Sequence, residues 1–188
     1  MTRIVEINRD EQFVVVKYAH VCQIRPGQCV IIDGKYFAIA ENNNGVLTVL
    51  GRVGGPLDRL VGAEVDLTGP VGNGFKDVDC EHAVVIAGGS AIGACLSVLD
   101  YRNQLGLSSW FVSYAKTRHP FISRVAARGG VNWNTTDGRP AFPFDPLGIE
   151  SFPSGTRVFV AGPNDLVTSV RSCAEKFNIT ADNINLNY

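Results

Sequence analysis

The stretch of sequence that decides the fold is residues 82–99, HAVVIAGGSAIGACLSVL. It begins as a short apolar run, breaks at two adjacent glycines, and resumes with apolar residues at helical spacing. This pattern predicts a buried parallel strand, a tight turn and a helix. Such a turn directs backbone N–H groups and the positive end of a helix dipole at a ligand, which in α/β proteins is usually a nucleotide phosphate. Simple packing of a strand against a helix is the alternative that this stretch leaves open.

The chain before this stretch has the pattern of short antiparallel strands. Between residues 3 and 76, apolar runs are separated by turn residues such as Asp33-Gly34 and the NNNG of residues 42–45. Regular spacing of strands and turns predicts a small antiparallel barrel or sandwich. The same pattern predicts a short helix over residues 57–61 and a last strand over residues 64–67.

The chain after residue 79 alternates strands with helices, which calls for a parallel sheet. Apolar runs predict further strands over residues 109–114, 156–161 and 184–186, and a helix begins near Pro120. Asn164 is the predicted N-cap of a helix with one apolar face, formed by Leu166, Val170, Cys173 and Phe177.

The predicted fold is therefore a β-barrel plus an α/β domain with a Rossmann-like parallel sheet. The barrel covers residues 1–79 and the α/β domain residues 80–188. Residues 137–154 carry four of the nine prolines, and this predicts an irregular surface loop.

Composition narrows the class of protein. The chain has 188 residues, of which 45% are hydrophobic, and its 17 basic and 18 acidic side chains give a net charge of -1. Neither sign forms a long block, which argues against a nucleic acid or membrane partner and for a small-molecule or protein partner. No apolar run approaches the roughly 20 residues that span a bilayer, and the N-terminus lacks a signal pattern, so a cytoplasmic location is expected. The five cysteines are scattered without a Cys-x-x-Cys pair, which predicts reduced core residues and neither disulfides nor a metal site.

Six short motifs follow one another over nearly the whole chain. They are RPGQ at 25–28, GPVGNGF at 69–75, AGG at 87–89, YAKTR at 114–118, TDG at 136–138 and AGP at 161–163. In this order they resemble motifs of the ferredoxin-NADP reductase superfamily. Residues 69–75 resemble the end of the flavin barrel in the electron-transfer subunit of dihydroorotate dehydrogenase. The resemblance ends at Tyr188, before the cysteines that hold an iron–sulfur cluster in related subunits, so no cluster is expected.

The resemblance implies an FAD-binding barrel followed by a domain that binds NADH or NADPH. Where the family has a flavin motif Arg-x-Tyr-Ser or Thr, this chain has Lys35, Tyr36, Phe37 and Ala38. The segment that cradles the flavin pyrophosphate corresponds to Gly54, Gly55, Pro56 and Leu57. The positions that correspond to pyridine-nucleotide contacts are Gly88, Gly89, Ser90, Ala91, Lys116, Arg118, Gly162, Pro163 and Asn164.

Several of these positions depart from the family pattern. Phe37 and Ala38 lack the hydroxyl groups of the flavin motif, and each missing hydrogen bond weakens binding by about 1 kcal/mol. Pro56 removes a backbone donor and Leu57 a hydroxyl from the pyrophosphate segment. Ala91 stands where the family places a loop glycine. FAD binding is therefore expected to be weak or lost.

Two functions follow. The first is an FAD-dependent NAD(P)H oxidoreductase, or an electron-transfer subunit, that passes electrons from NADH or NADPH to a protein or small-molecule acceptor. The second is a member of the same fold that has lost cofactors and acts as a non-catalytic binding or structural subunit. The first is preferred. Because the flavin carries the chemistry, no side chain is assigned as catalytic, and a protein redox partner or a homo-oligomer is expected.

Overall fold

The structure is a computed structural model of the protein, and it describes residues 2–10, 12–59, 64–116, 120–127, 129–137 and 140–187. Two sheets follow one another along the chain, a seven-stranded antiparallel sheet and a five-stranded parallel sheet. This arrangement confirms the predicted fold, a β-barrel plus an α/β domain.

The antiparallel sheet curls into a nearly closed barrel. Its strands are β1 (Thr2–Arg9), β2 (Phe13–Ala19), β3 (Cys29–Ile32), β4 (Lys35–Asn43), β5 (Val46–Arg52), β6 (Glu64–Val65) and β7 (Leu67–Val71). Their spatial order is β6-β1-β2-β5-β4-β3-β7, and Asp66 alone separates the two outermost strands in sequence. Strand β2 is buried on both faces, because Val14 and Val16 pack inside the barrel while Phe13 and Val15 pack towards the second sheet.

The parallel sheet comprises β8 (Ala83–Gly88), β9 (Trp110–Ala115), β10 (Val131–Asn134), β11 (Arg157–Ala161) and β12 (Ile184–Leu186). Their order is β10-β9-β8-β11-β12. The chain thus leaves β8 on one side and later returns to its other side, so the strand order reverses between β8 and β11. In open parallel sheets, ligands bind beyond the carboxyl ends of the strands next to such a reversal.

Within the described residues, three α-helices accompany the sheets: α1 (Ile92–Gln104), α2 (Ile122–Ala127) and α3 (Asn164–Cys173). Helix α1 lies between the two sheets, since Ile92 and Leu96 belong to the same buried cluster as Phe13 of the barrel. Its Gly93 rests on β4, where a Cβ would stand 3.3 Å from the carbonyl oxygen of Ala38. The barrel and the parallel sheet therefore share one hydrophobic core.

The prediction of an irregular surface loop over residues 137–154 is wrong in one respect. From residue 140 onwards the segment has little regular structure, but Phe144 and Phe152 are 0% and 2% exposed. Their rings pack 5.7 Å apart, and the Phe144 ring lies 4.7 Å from that of Phe177. The segment packs on the face of the parallel sheet opposite α1, through these aromatic side chains. Its sequence has no strand or helix period, so this burial could not be predicted from the pattern.

Three smaller predictions need correction. Asn164 is the first residue of α3 and not its N-cap, since Pro163 occupies that position without a side-chain hydrogen bond. The predicted strand over residues 64–67 is interrupted at Asp66, and its second part continues through Gly69 and Pro70 as β7. The predicted helix over residues 57–61 is a 3-10 turn at Leu57–Arg59, and residues 60 and 61 lie outside the described residues.

Candidate functional site

A cavity of about 260 Å³ opens at the carboxyl edge of the parallel sheet. One side of it is lined by the ends of β8 and β9, by the start of α3, and by Pro140, Ala141 and Pro143. Gln12, Phe13 and Arg52 of the barrel line the other side. The cavity therefore lies between the two sheets, next to the reversal of strand order.

The two glycines at the ends of β8 and β11 are required by packing. A Cβ on Gly88 would stand 2.7 Å from Pro163 Cδ and 2.8 Å from Leu166 Cδ2, distances that real Cβ atoms essentially never show. A Cβ on Gly162 would stand 3.0 Å from the same Leu166 atom. These motif glycines thus allow α3 to approach β8 closely, whether or not a ligand binds beside them.

Two cations border the cavity. Arg52 ends β5 with an exposed side chain, and its Nη2 lies 3.1 Å from the place that a Cβ on Gly89 would occupy. Gly89 has a φ of 59°, in the left-handed region that favours glycine. Lys116 follows β9 and is exposed. The carboxylate of Asp165, which accepts a hydrogen bond from the Leu166 N–H at 3.0 Å, is the acidic group on this lining.

Tyr114 fixes one wall of the cavity. Its hydroxyl donates to the Pro143 carbonyl at 2.6 Å, which ties β9 to the segment over residues 140–143. Burial, and then the nearby Asp145 carboxylate, raise the pKa of Tyr114 above its ordinary value. The hydroxyl therefore stays protonated at neutral pH and serves as a structural donor.

The predicted pyridine-nucleotide residues are only partly gathered here. Four of them line the cavity: Gly88, Gly89, Lys116 and Pro163. Four others are adjacent to these in sequence but do not line it: Ser90, Ala91, Gly162 and Asn164. Arg118 lies outside the described residues. Nucleotide contact by these residues stays a prediction.

Sequence reasoning missed several lining residues, including Gln12, Arg52 and Ser169, whereas Tyr114 belongs to the motif at 114–118. No local pattern could reveal Arg52, because its approach to Gly89 depends on how the barrel docks on the second sheet. Ser169 had a usable signal, since it stands four residues after Asp165 and residues at that spacing share a helix face.

The predicted flavin motif lies on β4, and none of its four residues lines this cavity. Lys35 and Tyr36 are exposed, the latter to 71%, next to the tight turn that joins β3 to β4. Phe37 and Ala38 are half-buried, and their side chains carry no hydrogen-bonding atom. The motif therefore offers a flavin one cation and one exposed aromatic ring.

The predicted pyrophosphate segment, Gly54 to Leu57, is closed by its own contacts. The Gly54 N–H donates to Asp58 Oδ2 at 2.8 Å, and the Gly55 N–H donates to the Arg52 carbonyl at 3.0 Å. Pro56 has no N–H, and the side chain of Leu57 is buried in the barrel core. Asp58 Oδ1 also accepts a hydrogen bond from Arg9 Nε at 2.6 Å.

The residues present do not fit the pyrophosphate of FAD. The N–H groups of Gly54 and Gly55 are already used, and a carboxylate occupies the position where Gly54 would present its N–H to an anion. The hydrogen bond from Gly54, and then the one from Arg9, lower the pKa of Asp58 below its ordinary value. The carboxylate is therefore charged at neutral pH and repels a phosphate.

Two kinds of feature are absent from the described part of the chain. Within it, no helix is long and apolar enough to cross a membrane. Its histidine, cysteine, aspartate and glutamate side chains form no group of three or more that could hold a metal ion.

The comparisons with known proteins give structural likeness without sequence likeness. No protein-family profile matches the chain. No curated protein sequence matches it either. Among solved structures, the ferredoxin reductase in carbazole 1,9a-dioxygenase, in an FAD apo form, shares 19% identity at a TM-score of 0.77 over 99% of this chain. The flavohem-like FAD/NAD binding domain of nitric oxide dioxygenase from Vibrio cholerae O1 biovar El Tor shares 16% identity at 0.74 over 98% of this chain.

An intact type IV self-sufficient cytochrome P450 monooxygenase is similar at 14% identity, with a TM-score of 0.80 over 98% of this chain. The chain spans 27% of that protein, 65% of the carbazole reductase and 96% of the nitric oxide dioxygenase domain. At these identities the likeness shows the fold alone. That fold is the barrel and α/β arrangement found in ferredoxin reductases and in FAD/NAD binding domains.

Proposed function

We propose that the protein binds a pyridine nucleotide, NADH or NADPH, in the cavity between its two sheets and holds no FAD of its own. The observation that supports this most is that the Gly88-Gly89 turn, Arg52 and Lys116 line the same cavity at the carboxyl edge of the parallel sheet. A phosphate is held by backbone donors and positive charge together, and both are gathered there. Of the two functions predicted from sequence, this corresponds to the member that has lost cofactors.

The lining assigns a part of the nucleotide to each residue. Arg52, beside the glycine turn, would pair with the nucleotide pyrophosphate, because a guanidinium binds phosphate oxygens in a two-pronged geometry. Lys116, at the end of the neighbouring strand β9, would face the adenosine ribose and favour the 2′-phosphate of NADPH. The flat wall of Tyr114, Pro140 and Pro143 offers apolar surface to a ring.

The test is to titrate the protein with NADH and NADPH and to measure binding by nucleotide fluorescence and by calorimetry. Arg52→Gln removes the charge at the glycine turn and should weaken binding of both nucleotides by about tenfold. Lys116→Gln should weaken NADPH binding more than NADH binding, because NADH lacks the 2′-phosphate.

Arg3→Gln is the matched control, since Arg3 is an exposed arginine of the barrel that does not line the cavity. This variant should bind both nucleotides like wild type. The proposal fails if the folded wild-type protein binds neither nucleotide, or if Arg52→Gln and Arg3→Gln behave alike.

The second candidate is the flavin-dependent NAD(P)H oxidoreductase. The exposed cation Lys35 at the start of β4 favours it, as do the names of similar structures that include FAD binding. The visible absorption spectrum after incubation with FAD or FMN separates the candidates. A bound flavin that bleaches on anaerobic addition of NADH or NADPH would establish the oxidoreductase, and a protein that stays colourless would support the first proposal.

Partners are part of the same proposal. The resemblance of residues 69–75 to the dihydroorotate dehydrogenase subunit suggests that the chain works with a protein partner or a second copy. Light scattering on the purified protein gives its mass in solution and so shows whether two copies associate. A mass of one chain in solution leaves the partner protein as the proposal to pursue.

A further inference from the structure

A second anion position, distinct from the nucleotide cavity, is built around Asp58. Gly54 presents its N–H to Asp58 Oδ2 at 2.8 Å, and Arg9 Nε donates to Oδ1 at 2.6 Å. Arg9 Nη2 also donates to the Asp58 carbonyl at 3.2 Å. The carboxylate is thereby held by a backbone donor on one oxygen and a guanidinium on the other.

A second guanidinium stands nearby. Arg59 Nη2 donates to the Gly54 carbonyl at 3.1 Å, and its charge acts on Asp58 as that of Arg9 does. A glycine-turn N–H flanked by two arginines is the donor set with which proteins bind phosphate groups. Here the anion in that set is a side chain of the same chain.

We propose that Asp58 is an intramolecular substitute for a ligand phosphate, and that its carboxylate prevents a dinucleotide flavin from placing its pyrophosphate on the Gly54 turn. The side chain is 19% exposed, and each of its carboxylate oxygens already accepts a hydrogen bond. A pyrophosphate in the same place would meet a negative charge and would find the N–H groups of Gly54 and Gly55 already bonded. The aspartate therefore determines cofactor specificity by excluding FAD.

The inference predicts that removal of the carboxylate opens a phosphate site. In Asp58→Ser, the Gly54 N–H and the Arg9 guanidinium lose their anion, and a ligand phosphate can replace it. In Asp58→Asn, the charge is gone but the amide still fills the space, so the gain should be smaller. Neither substitution touches Lys116 or the Gly88-Gly89 turn of the nucleotide cavity.

The experiment measures binding of FAD and riboflavin to the full chain by flavin fluorescence and equilibrium dialysis. Riboflavin has the same ring system without phosphate. Wild type should bind FAD no more tightly than riboflavin. Asp58→Ser should lower the Kd for FAD by about tenfold, the scale of one charge-assisted hydrogen bond, and leave riboflavin binding unchanged.

Glu64→Ser is the matched control, because it removes an exposed carboxylate from β6 of the same barrel and changes the net charge equally. It should bind FAD like wild type. Circular dichroism checks each variant, and if Asp58→Ser does not fold, the isosteric Asp58→Asn carries the test. The inference is overturned if wild type already prefers FAD over riboflavin, if the folded Asp58 variant gains nothing, or if riboflavin gains equally. Failure of both NADH and NADPH to bind would overturn the proposed function and leave this outcome untouched.

Discussion

The Asp58 carboxylate holds three segments of the barrel together: β1 through Arg9, the turn at Gly54, and the 3-10 turn that contains Asp58. These contacts lower the pKa of Asp58 from its ordinary 3.8, with the Gly54 hydrogen bond as the largest cause. Because the folded pKa lies below the unfolded one, the charged carboxylate adds stability above pH 3.8 that is lost as pH falls through the folded value.

We therefore expect Asp58→Asn to melt at a lower temperature than wild type at neutral pH. The difference should shrink progressively below pH 3.8, as the wild-type carboxyl takes up its proton. Thermal unfolding across an acid pH series measures it. A difference that stays constant into acid would show that the hydrogen-bonding shape of Asp58, and not its charge, stabilises the turn.

Among the structural elements, the segment over residues 140–152 lines the cavity with Pro140, Ala141 and Pro143 although its backbone is mostly irregular. Phe144 is fully buried against Phe152 and Phe177, and the neighbouring Pro143 carbonyl accepts the Tyr114 hydroxyl. We expect Phe144→Ala to lower the free energy of unfolding by about 3–5 kcal/mol, the usual loss for a buried phenylalanine.

Phe142→Ala is the matched comparison, because Phe142 is half-buried in the same segment and its ring carries the Lys176 ammonium at 4.4 Å. In urea unfolding, Phe142→Ala should lower the free energy of unfolding clearly less than Phe144→Ala does. Equal losses would mean that the segment contributes through its general apolar character and that Phe144 does not anchor it.

The sequence predicts strands and helices correctly where its apolar residues recur at the spacing of a strand or of a helix. The strand, turn and helix of residues 82–99 and the apolar runs of β9 and β11 could be read directly, because a buried parallel strand is a continuous apolar run. Strand β10 was missed, since Val131–Asn134 is short and contains two asparagines. The anchoring role of Phe144 was missed because its burial follows from tertiary contacts and not from periodicity.

The same limit applies to the candidate site. The glycine turns could be predicted because close packing requires glycine at these positions, and glycine is visible in the sequence. Arg52, in contrast, lies 37 positions from Gly89 and contacts it only because the two sheets dock on each other. Asp58 follows the predicted pyrophosphate segment directly, yet its reach back to the Gly54 N–H depends on the conformation of the turn. The positions of Arg52 and Asp58 are thus set by sheet docking and by turn conformation, neither of which residue patterns specify.

At the scale of the whole molecule, the two sheets are joined by a shared core and by Arg102. This arginine of α1 is 0% exposed and donates to the carbonyls of Val78 at 2.8 Å and Cys80 at 2.6 Å, on the segment between the sheets. It also donates to the Ser108 carbonyl at 2.7 Å, before β9. The proposed division into residues 1–79 and 80–188 therefore falls within a segment that α1 holds in place.

Because of this joint, we expect the barrel and the parallel sheet to unfold in one transition. Trp110 and Trp133 lie in the parallel sheet, so their fluorescence reports on it, while amide exchange in β2 reports on the barrel. Arg102→Met removes the donor to the Val78, Cys80 and Ser108 carbonyls and should destabilise both sheets together, by about 3 kcal/mol, the scale of lost hydrogen bonds to a charged group. Arg171→Met, at an exposed position of α3, should leave the midpoint of the unfolding transition unchanged. If barrel amides stay protected after tryptophan fluorescence has changed, the two halves are independent units, and a nucleotide bound between them would stabilise only their contact.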